Sequence, residues 1–166
     1  MYIGLISDTH GVFSPQFREF LEPVDQIWHA GDWGGDDAFT REISSFKPVV
    51  GVSGNCDGQP VRYLYPQHQF FQCEEMSVLL THIGGYPGHY DLRARALIEQ
   101  YRPQIFVCGH SHILKVMRDK HYDMLCINPG AAGLMGWQVV RTALRFKIEN
   151  GEIKNMEVFE LERDKY

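Results

Sequence analysis

The sequence predicts an α/β fold, and three observations lead to this prediction. Short apolar runs recur along the chain, and the first, residues 2–7, ends directly in Asp8. Runs this short that end in polar residues are typical of strands buried on both faces, in sheets covered by helices. Segments with helical spacing separate these runs. In the last third, Asn150-Gly151 lies between the strand-like segments 141–149 and 152–159, which predicts an antiparallel hairpin.

Three helices are predicted from capping residues and from the spacing of apolar side chains. The first follows Ser14, an N-cap with proline at the next position, and ends at Pro23. The second follows Asp36 and Asp37, which we interpret as N-cap residues rather than ligands. The third spans residues 91–101 and is followed by a proline.

The other apolar runs predict a succession of strands. After residues 2–7 these are 27–30 within the stretch 24–30, then 48–52, 70–73, 77–80, 105–108, 113–117 and 124–127, followed by the hairpin. We expect a turn at Asn128-Pro129-Gly130 and a largely antiparallel C-terminal third. The aromatic segment 59–72 can belong to the core, to a pocket wall or to a surface that binds a partner.

Length and composition indicate a single globular domain over residues 1–166. The chain is 44% apolar and 22% charged, which is the balance of a soluble protein. No apolar run has the length of a membrane span and no secretory signal is visible, so we expect a cytoplasmic protein. The formal charge of −5 disfavours stable nucleic-acid binding. Four widely spaced cysteines argue against a thiolate zinc site.

Five predicted strands end in residues of metal-ligand type. Asp8 and His10 follow the first strand, and in extended backbone residues i and i+2 point to one side, so both can bind one ion. His110 and His112 repeat this spacing after residues 105–108. The candidate ligands are Asp8, His10, Asp32, Asn55, His82, His110 and His112. This mixture of oxygen and imidazole ligands suits Mn, Fe, Zn, Ni or Co, and not calcium or a structural zinc site.

In their order along the chain, these motifs resemble those of the calcineurin-like metallophosphoesterase superfamily, in particular its small single-domain bacterial and archaeal phosphodiesterases. The motifs are Asp8-Thr9-His10, Gly31-Asp32, Gly54-Asn55-Cys56-Asp57, Thr81-His82 and Gly109-His110-Ser111-His112, supported by Asn128-Pro129-Gly130. The resemblance covers essentially the whole chain. It implies a four-layer α/β/β/α sandwich of two mixed sheets flanked by helices, with the site on loops at the strand ends.

The resemblance also implies two divalent metal ions per chain, with manganese as the first expectation and Fe, Ni, Zn or Co as alternatives. One ion would be bound by Asp8, His10, Asp32 and His112, and the other by Asp32, Asn55, His82 and His110. Asp32 would therefore bridge the two ions. Such a pair can share a hydroxide nucleophile and neutralise the phosphoryl oxygens.

The catalytic residues that the resemblance implies are Asn55, His82, Cys56 and Asp57. Many members of the superfamily have histidine at the position of Cys56, where it assists the leaving group, so we do not expect strong general-acid catalysis here. Asp57 would support the metal site or a loop through a hydrogen bond. A simple turn residue is the alternative, because residues 53–58 taken alone are an ordinary turn.

The expected activity is the hydrolysis of a small phosphate ester, most directly a phosphodiester. A phosphomonoesterase with the same site is the enzymatic alternative. A non-catalytic scaffold is the alternative from another class, because a retromer subunit uses this fold to bind proteins with an impaired metal site. The sequence leaves the substrate, the native metal and the oligomeric state open.

Overall fold

The computed structural model describes residues 1–163, which form two five-stranded sheets with helices against their outer faces. In chain order the elements are β1 (Tyr2–Ile6), α1 (Pro15–Leu21), β2 (Gln26–His29), α2 (Asp37–Phe46), β3 (Val49–Gly51), α3 (Val61–Leu64), β4 (His68–Cys73), β5 (Met76–Thr81), α4 (Leu92–Tyr101), β6 (Ile105–Val107), β7 (Leu114–Asp119), β8 (Met124–Pro129), β9 (Val140–Glu149) and β10 (Glu152–Glu162). Every predicted strand and helix is present, and α3 is additional. None of the helices in this range has the length and hydropathy that a membrane span requires.

The first sheet has the strand order β10-β9-β1-β2-β3. β1, β2 and β3 are parallel, whereas β9 and β10 run antiparallel to their neighbours. β1 is the central strand: Ile3 and Leu5 pack in the core between the sheets, and Ile6 packs on the helix side. The prediction that the first apolar run is a strand buried on both faces is therefore confirmed.

The second sheet has the strand order β4-β5-β6-β8-β7 and is also mixed. Its three central strands are parallel, and its two edge strands are antiparallel to them. The predicted turn at residues 128–130 is wrong in part, because β8 continues through Pro129. Asn128 is held in the strand end because its side-chain amide donates to the Gly109 carbonyl (2.9 Å) and its side-chain oxygen accepts from the Gly130 amide (3.0 Å).

The elements form four layers in the order helix, sheet, sheet, helix, and an apolar cluster lies between each pair of neighbouring layers. The central cluster joins the sheets and contains Trp28 of the first and Val107 of the second. Phe17 of α1 and Ile43 of α2 pack on the first sheet, and Ile98 of α4 packs on the second. The predicted α/β/β/α sandwich is confirmed. Its assignment as one domain over residues 1–166 stays a prediction, and residues 164–166 lie outside the described range.

The helix N-termini follow the predicted caps with one exception. Asp36 accepts a hydrogen bond from the Phe39 amide of α2 (3.0 Å), and Asp91 accepts from amides in the first turn of α4. Ser14 occupies the N-cap position of α1, but its hydroxyl accepts from the buried Arg141 guanidinium (2.7 Å) and makes no bond to the helix. A tertiary contact therefore replaces the local cap that the sequence predicts.

Parts of the aromatic segment 59–72 fit two of the three interpretations left open, the core and a pocket wall. Tyr65 stacks on the buried Trp33 with ring centroids 4.5 Å apart, so part of the segment belongs to the core. Arg62 lines a cleft, so another part is a pocket wall. Tyr63 is 85% exposed, and its place in a surface that binds a partner stays a prediction.

Candidate metal centre

Six of the seven predicted ligands form two groups beyond the carboxyl ends of the parallel strands. The groups are Asp8, His10 and His112, and Asp32, His82 and His110. Within each group the ligand atoms all lie within 4.8 Å of one another. Carboxylate oxygens and imidazole nitrogens at such separations can share one divalent ion.

The two carboxylate oxygens of Asp8, which is completely buried, have different surroundings. Oδ2 accepts a hydrogen bond from the His110 backbone amide (3.1 Å). Oδ1 faces the Nε2 atoms of His112 (3.0 Å), His10 (3.8 Å) and His82 (3.9 Å). The backbone thus fixes one oxygen and leaves the other directed toward three imidazoles.

The Asp32 carboxylate is arranged in the same way and faces both groups. Its Oδ1 accepts from the Cys56 backbone amide (2.8 Å), whereas Oδ2 lies 3.2 Å from Nε2 of His82 and 3.8 Å from Nε2 of His10. Burial opposes ionisation of Asp32, but the His82 imidazole and the Cys56 amide outweigh it and hold the pKa of the carboxyl well below its ordinary value. An ionised oxygen therefore lies between the two groups.

The surroundings of His82 fit a bound cation. Its Nδ1 lies 2.7 Å from the Ala30 carbonyl oxygen and donates to it. Its Nε2 is buried without a hydrogen-bond partner among the described residues, although Asp32 Oδ2 lies 3.2 Å away. Burial opposes protonation of His82, but the Asp32 and Asp8 carboxylates raise its pKa, so a proton on Nε2 can occupy this contact when no metal is bound. In the neutral imidazole that binds a metal, Nε2 instead carries a lone pair that faces a carboxylate oxygen, which is unfavourable in a buried site. A metal ion between the two atoms satisfies both of them.

His112 is oriented by a polar side chain in a comparable manner. Its Nδ1 lies 3.0 Å from Gln138 Oε1, and this contact directs Nε2 toward Asp8 Oδ1. Histidine ligands usually donate the second ring N–H to an oxygen, which fixes the tautomer and the ring orientation. His82 and His112 both meet this requirement for a metal ligand.

The backbone at five of the candidate ligands is left-handed, and not extended as the sequence argument assumed. The φ angles of Asp8, His10, Asp32, His110 and His112 lie between 45° and 68°. Residues other than glycine rarely adopt this conformation, and such strain concentrates at functional sites. Asp8 and His10 do converge, but His110 and His112 contribute to different groups, so the same-side prediction is wrong for the second pair.

Two glycines of the motifs, Gly54 and Gly109, lie so close to the carboxylates of Asp32 and Asp8 that a side chain would not fit. A Cβ atom at Gly54 would overlap Asp32 Oδ1, and one at Gly109 would overlap the Ser7 hydroxyl. That hydroxyl donates to Asp8 Oδ2 (2.6 Å). A side chain at either glycine would therefore displace a group that positions a candidate ligand.

Asn55 and Cys56 lie in the loop after β3 and are exposed. The Asn55 amide donates to Cys56 Sγ (3.6 Å), and Asn55 lines a cleft together with His82. Desolvation and the negative charge of Asp32 raise the pKa of the Cys56 thiol, so the thiol is protonated at neutral pH. Metal binding by Asn55 and the catalytic roles of Asn55, His82 and Cys56 stay predictions.

Asp57 is buried and connects the loops that follow β2 and β3. Its carboxylate accepts from the backbone amides of Gly54 (2.8 Å), Trp33 (3.2 Å) and Gly34 (3.2 Å). Trp33 directly follows Asp32, so these bonds position the bridging candidate. The geometry favours the loop hydrogen bond over the simple turn residue as the interpretation of Asp57.

A buried chain of hydrogen bonds supports the loop that carries Asp8 and His10. The Gly31 amide donates to Nδ1 of His29 (3.1 Å), so Nε2 of His29 donates to the Thr9 hydroxyl (3.0 Å). That hydroxyl in turn donates to the Trp33 carbonyl (2.8 Å). Burial lowers the pKa of His29 to about 3, and the neutral ring is the form that makes both bonds.

We expect His29 to lower the stability of the protein in acid. Its pKa is about 3 in the folded chain and roughly 6.5 in the unfolded chain. The unfolded state therefore binds the extra proton between these values, and stability falls as the pH drops below the unfolded value. Between about pH 7.5 and pH 5, the wild type should lose about 2 kcal/mol more unfolding free energy than His29→Gln. Urea unfolding of both proteins in EDTA measures this difference, and equal losses would contradict it.

Two cavities border the second group, and Ile83 lines both of them. One has a volume of about 360 Å³, reaches His110, and has Tyr86 and Ile113 in its wall. The other has a volume of about 190 Å³, reaches His82, and is lined mostly by polar side chains. A molecule bound at the second group therefore has two separate cavities beside it.

Residues 1–151 match the family model of the calcineurin-like phosphoesterase superfamily domain. The chain belongs to this superfamily. A curated relative from Methanothermobacter thermautotrophicus, described as a probable metallophosphoesterase, is 32% identical over 79% of this chain and 77% of the relative. The resemblance inferred from the motifs is confirmed: the protein is a metallophosphoesterase of a superfamily that uses divalent metals, and it has two candidate groups for binding them.

Several solved structures share the fold of this metallophosphoesterase. Vps29 from Chaetomium thermophilum has a TM-score of 0.74 at 18% identity, over 97% of this chain and 95% of that one. Zinc-bound Vps29 from Entamoeba histolytica has a TM-score of 0.72 at 16% identity, over 99% and 100% of the two chains. A protein described as a novel archaeal phosphodiesterase has a TM-score of 0.73 at 20% identity, over 97% and 100%. At these identities the likeness concerns the fold alone.

Three side chains that position the candidate ligands were not predicted from the sequence: Ser7, His29 and Gln138. Ser7 directly precedes Asp8, so its place at a strand end was an available signal. His29 lies inside a strand, where a histidine suggests no particular partner. Gln138 is 26 residues from His112, and no local pattern connects the two.

Proposed function

We propose that this metallophosphoesterase is a phosphodiesterase that uses two divalent ions, with manganese as the first candidate. The proposal rests on the Asp32 carboxylate, because its Oδ2 faces a histidine of each group while its Oδ1 is fixed by a backbone amide. An oxygen placed in this way suits a bridge between two cations. No side chain is then needed as the nucleophile.

The proposed ligands are Asp8, His10, Asp32 and His112 for one ion, and Asp32, Asn55, His82 and His110 for the other. When bound, the pair would supply a metal-activated hydroxide as the nucleophile and would neutralise charge on the phosphoryl oxygens. The chain supplies the geometry: Ala30 and Gln138 fix two of the imidazole rings, and backbone amides fix one oxygen of each carboxylate. This preorganisation keeps the ligands in place before substrate binds.

One feature supports a diester over a monoester as the substrate, and a second concerns the leaving group. The two cavities that border the second group provide space for two ester arms, whereas a monoester has only one. The exposed loop residue beside Asn55 is Cys56, and its neutral thiol is a weak hydrogen-bond donor. Leaving groups that need little protonation are therefore favoured. The description of a structural neighbour as a phosphodiesterase agrees with this choice.

We expect the manganese-loaded protein to hydrolyse bis(p-nitrophenyl) phosphate with a kcat/KM at least about tenfold higher than that for p-nitrophenyl phosphate, because the two cavities can accept both aryl arms. Release of p-nitrophenolate measures both rates, and EDTA should abolish both. His82→Ala should lose activity together with bound metal. His121→Ala is the matched control, because His121 is exposed and lies outside both groups. A higher kcat/KM on the monoester would replace the proposal with a phosphomonoesterase.

The non-catalytic scaffold remains the candidate from another class, because the Vps29 structures share this fold. The amount of metal bound per chain distinguishes the enzyme from the scaffold. An enzyme with both groups filled should bind about two equivalents of manganese per chain, whereas a scaffold with an impaired site should bind fewer than one. The complete set of ligand types in both groups favours the enzyme.

A further inference from the structure

The smaller of the two cavities contains two arginines, Arg62 and Arg93, in addition to Asn55 and His82. We name this cavity the arginine cleft. It borders the second candidate metal group, so a molecule held there lies beside the proposed position of the phosphate. Two guanidinium groups are an unusual concentration of positive charge in a chain with a formal charge of −5.

Carboxylates pair with several other arginines of residues 1–163: Arg18, Arg41, Arg95, Arg118 and Arg145. Neither Arg62 nor Arg93 has a carboxylate within ion-pair distance in that range. The nearest carboxylate to Arg62 along the chain, Asp57, is engaged by three backbone amides. Both guanidinium groups therefore keep their charge available for a bound anion.

Both arginines are also held in position by polar contacts. Nε of Arg62 donates to the Asp57 backbone carbonyl, which leaves the terminal nitrogens of the guanidinium for another acceptor. Nη2 of Arg93 lies 3.0 Å from Nδ1 of His68. Burial and the charge of Arg93 lower the pKa of His68, so the neutral ring accepts this bond. Arginines fixed in this way lose less side-chain freedom when they bind an anion.

The larger cavity lacks a comparable pair of free cations. Lys115 lines it, but the Lys115 ammonium lies 3.5 Å from the centroid of the Tyr86 ring and is engaged in a cation–π contact. Tyr86 and Ile113 make the wall of that cavity apolar. The two cavities therefore differ in the chemistry of the ester arm that each accepts.

We propose that the arginine cleft binds a second anionic group, a phosphate or a carboxylate, carried on one arm of the diester. This inference rests on the proposed function, since it places the scissile phosphate at the two metal groups. A guanidinium presents a planar fork of N–H donors that matches both phosphate and carboxylate. The substrate class is thus a diester with one anionic arm in the arginine cleft and one less polar arm in the larger cavity.

Equilibrium binding tests the cleft without requiring catalysis. The manganese-loaded full chain is titrated by calorimetry with propylphosphonate, propane-1,3-bisphosphonate and 4-phosphonobutanoate, which differ in the group at the far end. The wild type should bind at least one of the two probes that carry a second anionic group about tenfold or more tightly than propylphosphonate, because charge-assisted bonds to arginine have this strength. Whichever of these two probes binds more tightly identifies the natural group as a phosphate or a carboxylate.

Matched variants show whether the difference in affinity between the probes arises in the arginine cleft. Arg62→Ala, Arg93→Ala and the double variant should reduce it, and in the double variant the affinity ratio should approach one. Arg95→Ala is the control, because Arg95 lies on the same helix as Arg93 but pairs with Glu99 at the surface. A wild type with equal affinity for all three probes, or a double variant that keeps the wild-type ratio, would overturn the proposal.

Hydrolysis then separates this inference from the proposed function. The substrates are ethyl p-nitrophenyl phosphate and its 2-phosphonoethyl and 2-carboxyethyl analogues, compared by kcat/KM. Hydrolysis of all three without a preference for an anionic arm retains the phosphodiesterase and rejects the arginine cleft. A probe preference that depends on the two arginines, in a protein that hydrolyses no ester, retains the cleft and rejects the phosphodiesterase.

Discussion

Replacement of Asp32 with alanine is expected to remove metal from both groups and to lower diester hydrolysis by roughly 1,000-fold or more, since bound cations supply several kcal/mol of charge stabilisation. The physical reason is the position of Oδ2, which lies 3.2 Å from His82 and 3.8 Å from His10. Loss of this oxygen removes the carboxylate proposed to bridge the two ions and leaves the two cations without its charge between them. Elemental analysis and p-nitrophenolate release measure the two effects.

Two further aspartate variants make this result specific. Asp32→Asn keeps an oxygen that can accept from the Cys56 amide but lacks the charge, so it should also fail to hold two ions. Asp37→Ala should behave as the wild type, because Asp37 pairs with Arg41 on α2 and lies outside both groups. Two full metal equivalents in Asp32→Ala would rule out the bridging role.

The second large effect is expected for Asp57→Ala, which should lower the free energy of unfolding by about 3 kcal/mol or more and weaken metal binding by roughly 10- to 100-fold. Three backbone amides lose their acceptor in this variant, and Asp57 is buried, so little water can replace the carboxylate. The loop that carries Asp32 is then no longer joined to the loop after β3. Urea unfolding and calorimetric metal titration measure the two losses.

Asp36→Ala is the matched control for Asp57→Ala. Asp36 also accepts a backbone amide, but only that of Phe39 at the N-terminus of α2, so its loss should cost about 1 kcal/mol. Metal affinity should not change in this control, because Asp36 lies outside both groups. If Asp57→Ala binds metal as tightly as Asp36→Ala, the carboxylate of Asp57 does not position the site.

The sequence predicted the elements of the fold well because its local patterns and its tertiary structure agree. Strands such as β1 are uniformly apolar, and the Asn150-Gly151 turn adopts positive φ at both residues, as a tight hairpin requires. Ser14 shows where this agreement ends. Its local pattern predicts a cap, but the buried guanidinium of Arg141, 127 residues away, competes for the same hydroxyl.

The sequence by itself determined which residues of the candidate site follow the strands, since a short apolar run and the polar residue after it are neighbours in the chain. The resemblance already implied how they divide between two ions, and the tertiary structure supplies the physical reason: left-handed backbone sends His110 and His112 to different groups. Only the tertiary structure brought Gln138 to His112 and placed Arg62 and Arg93 in one cleft. These contacts join residues far apart in the chain, and they depend on the packing of two sheets and on backbone conformations that no local pattern specifies.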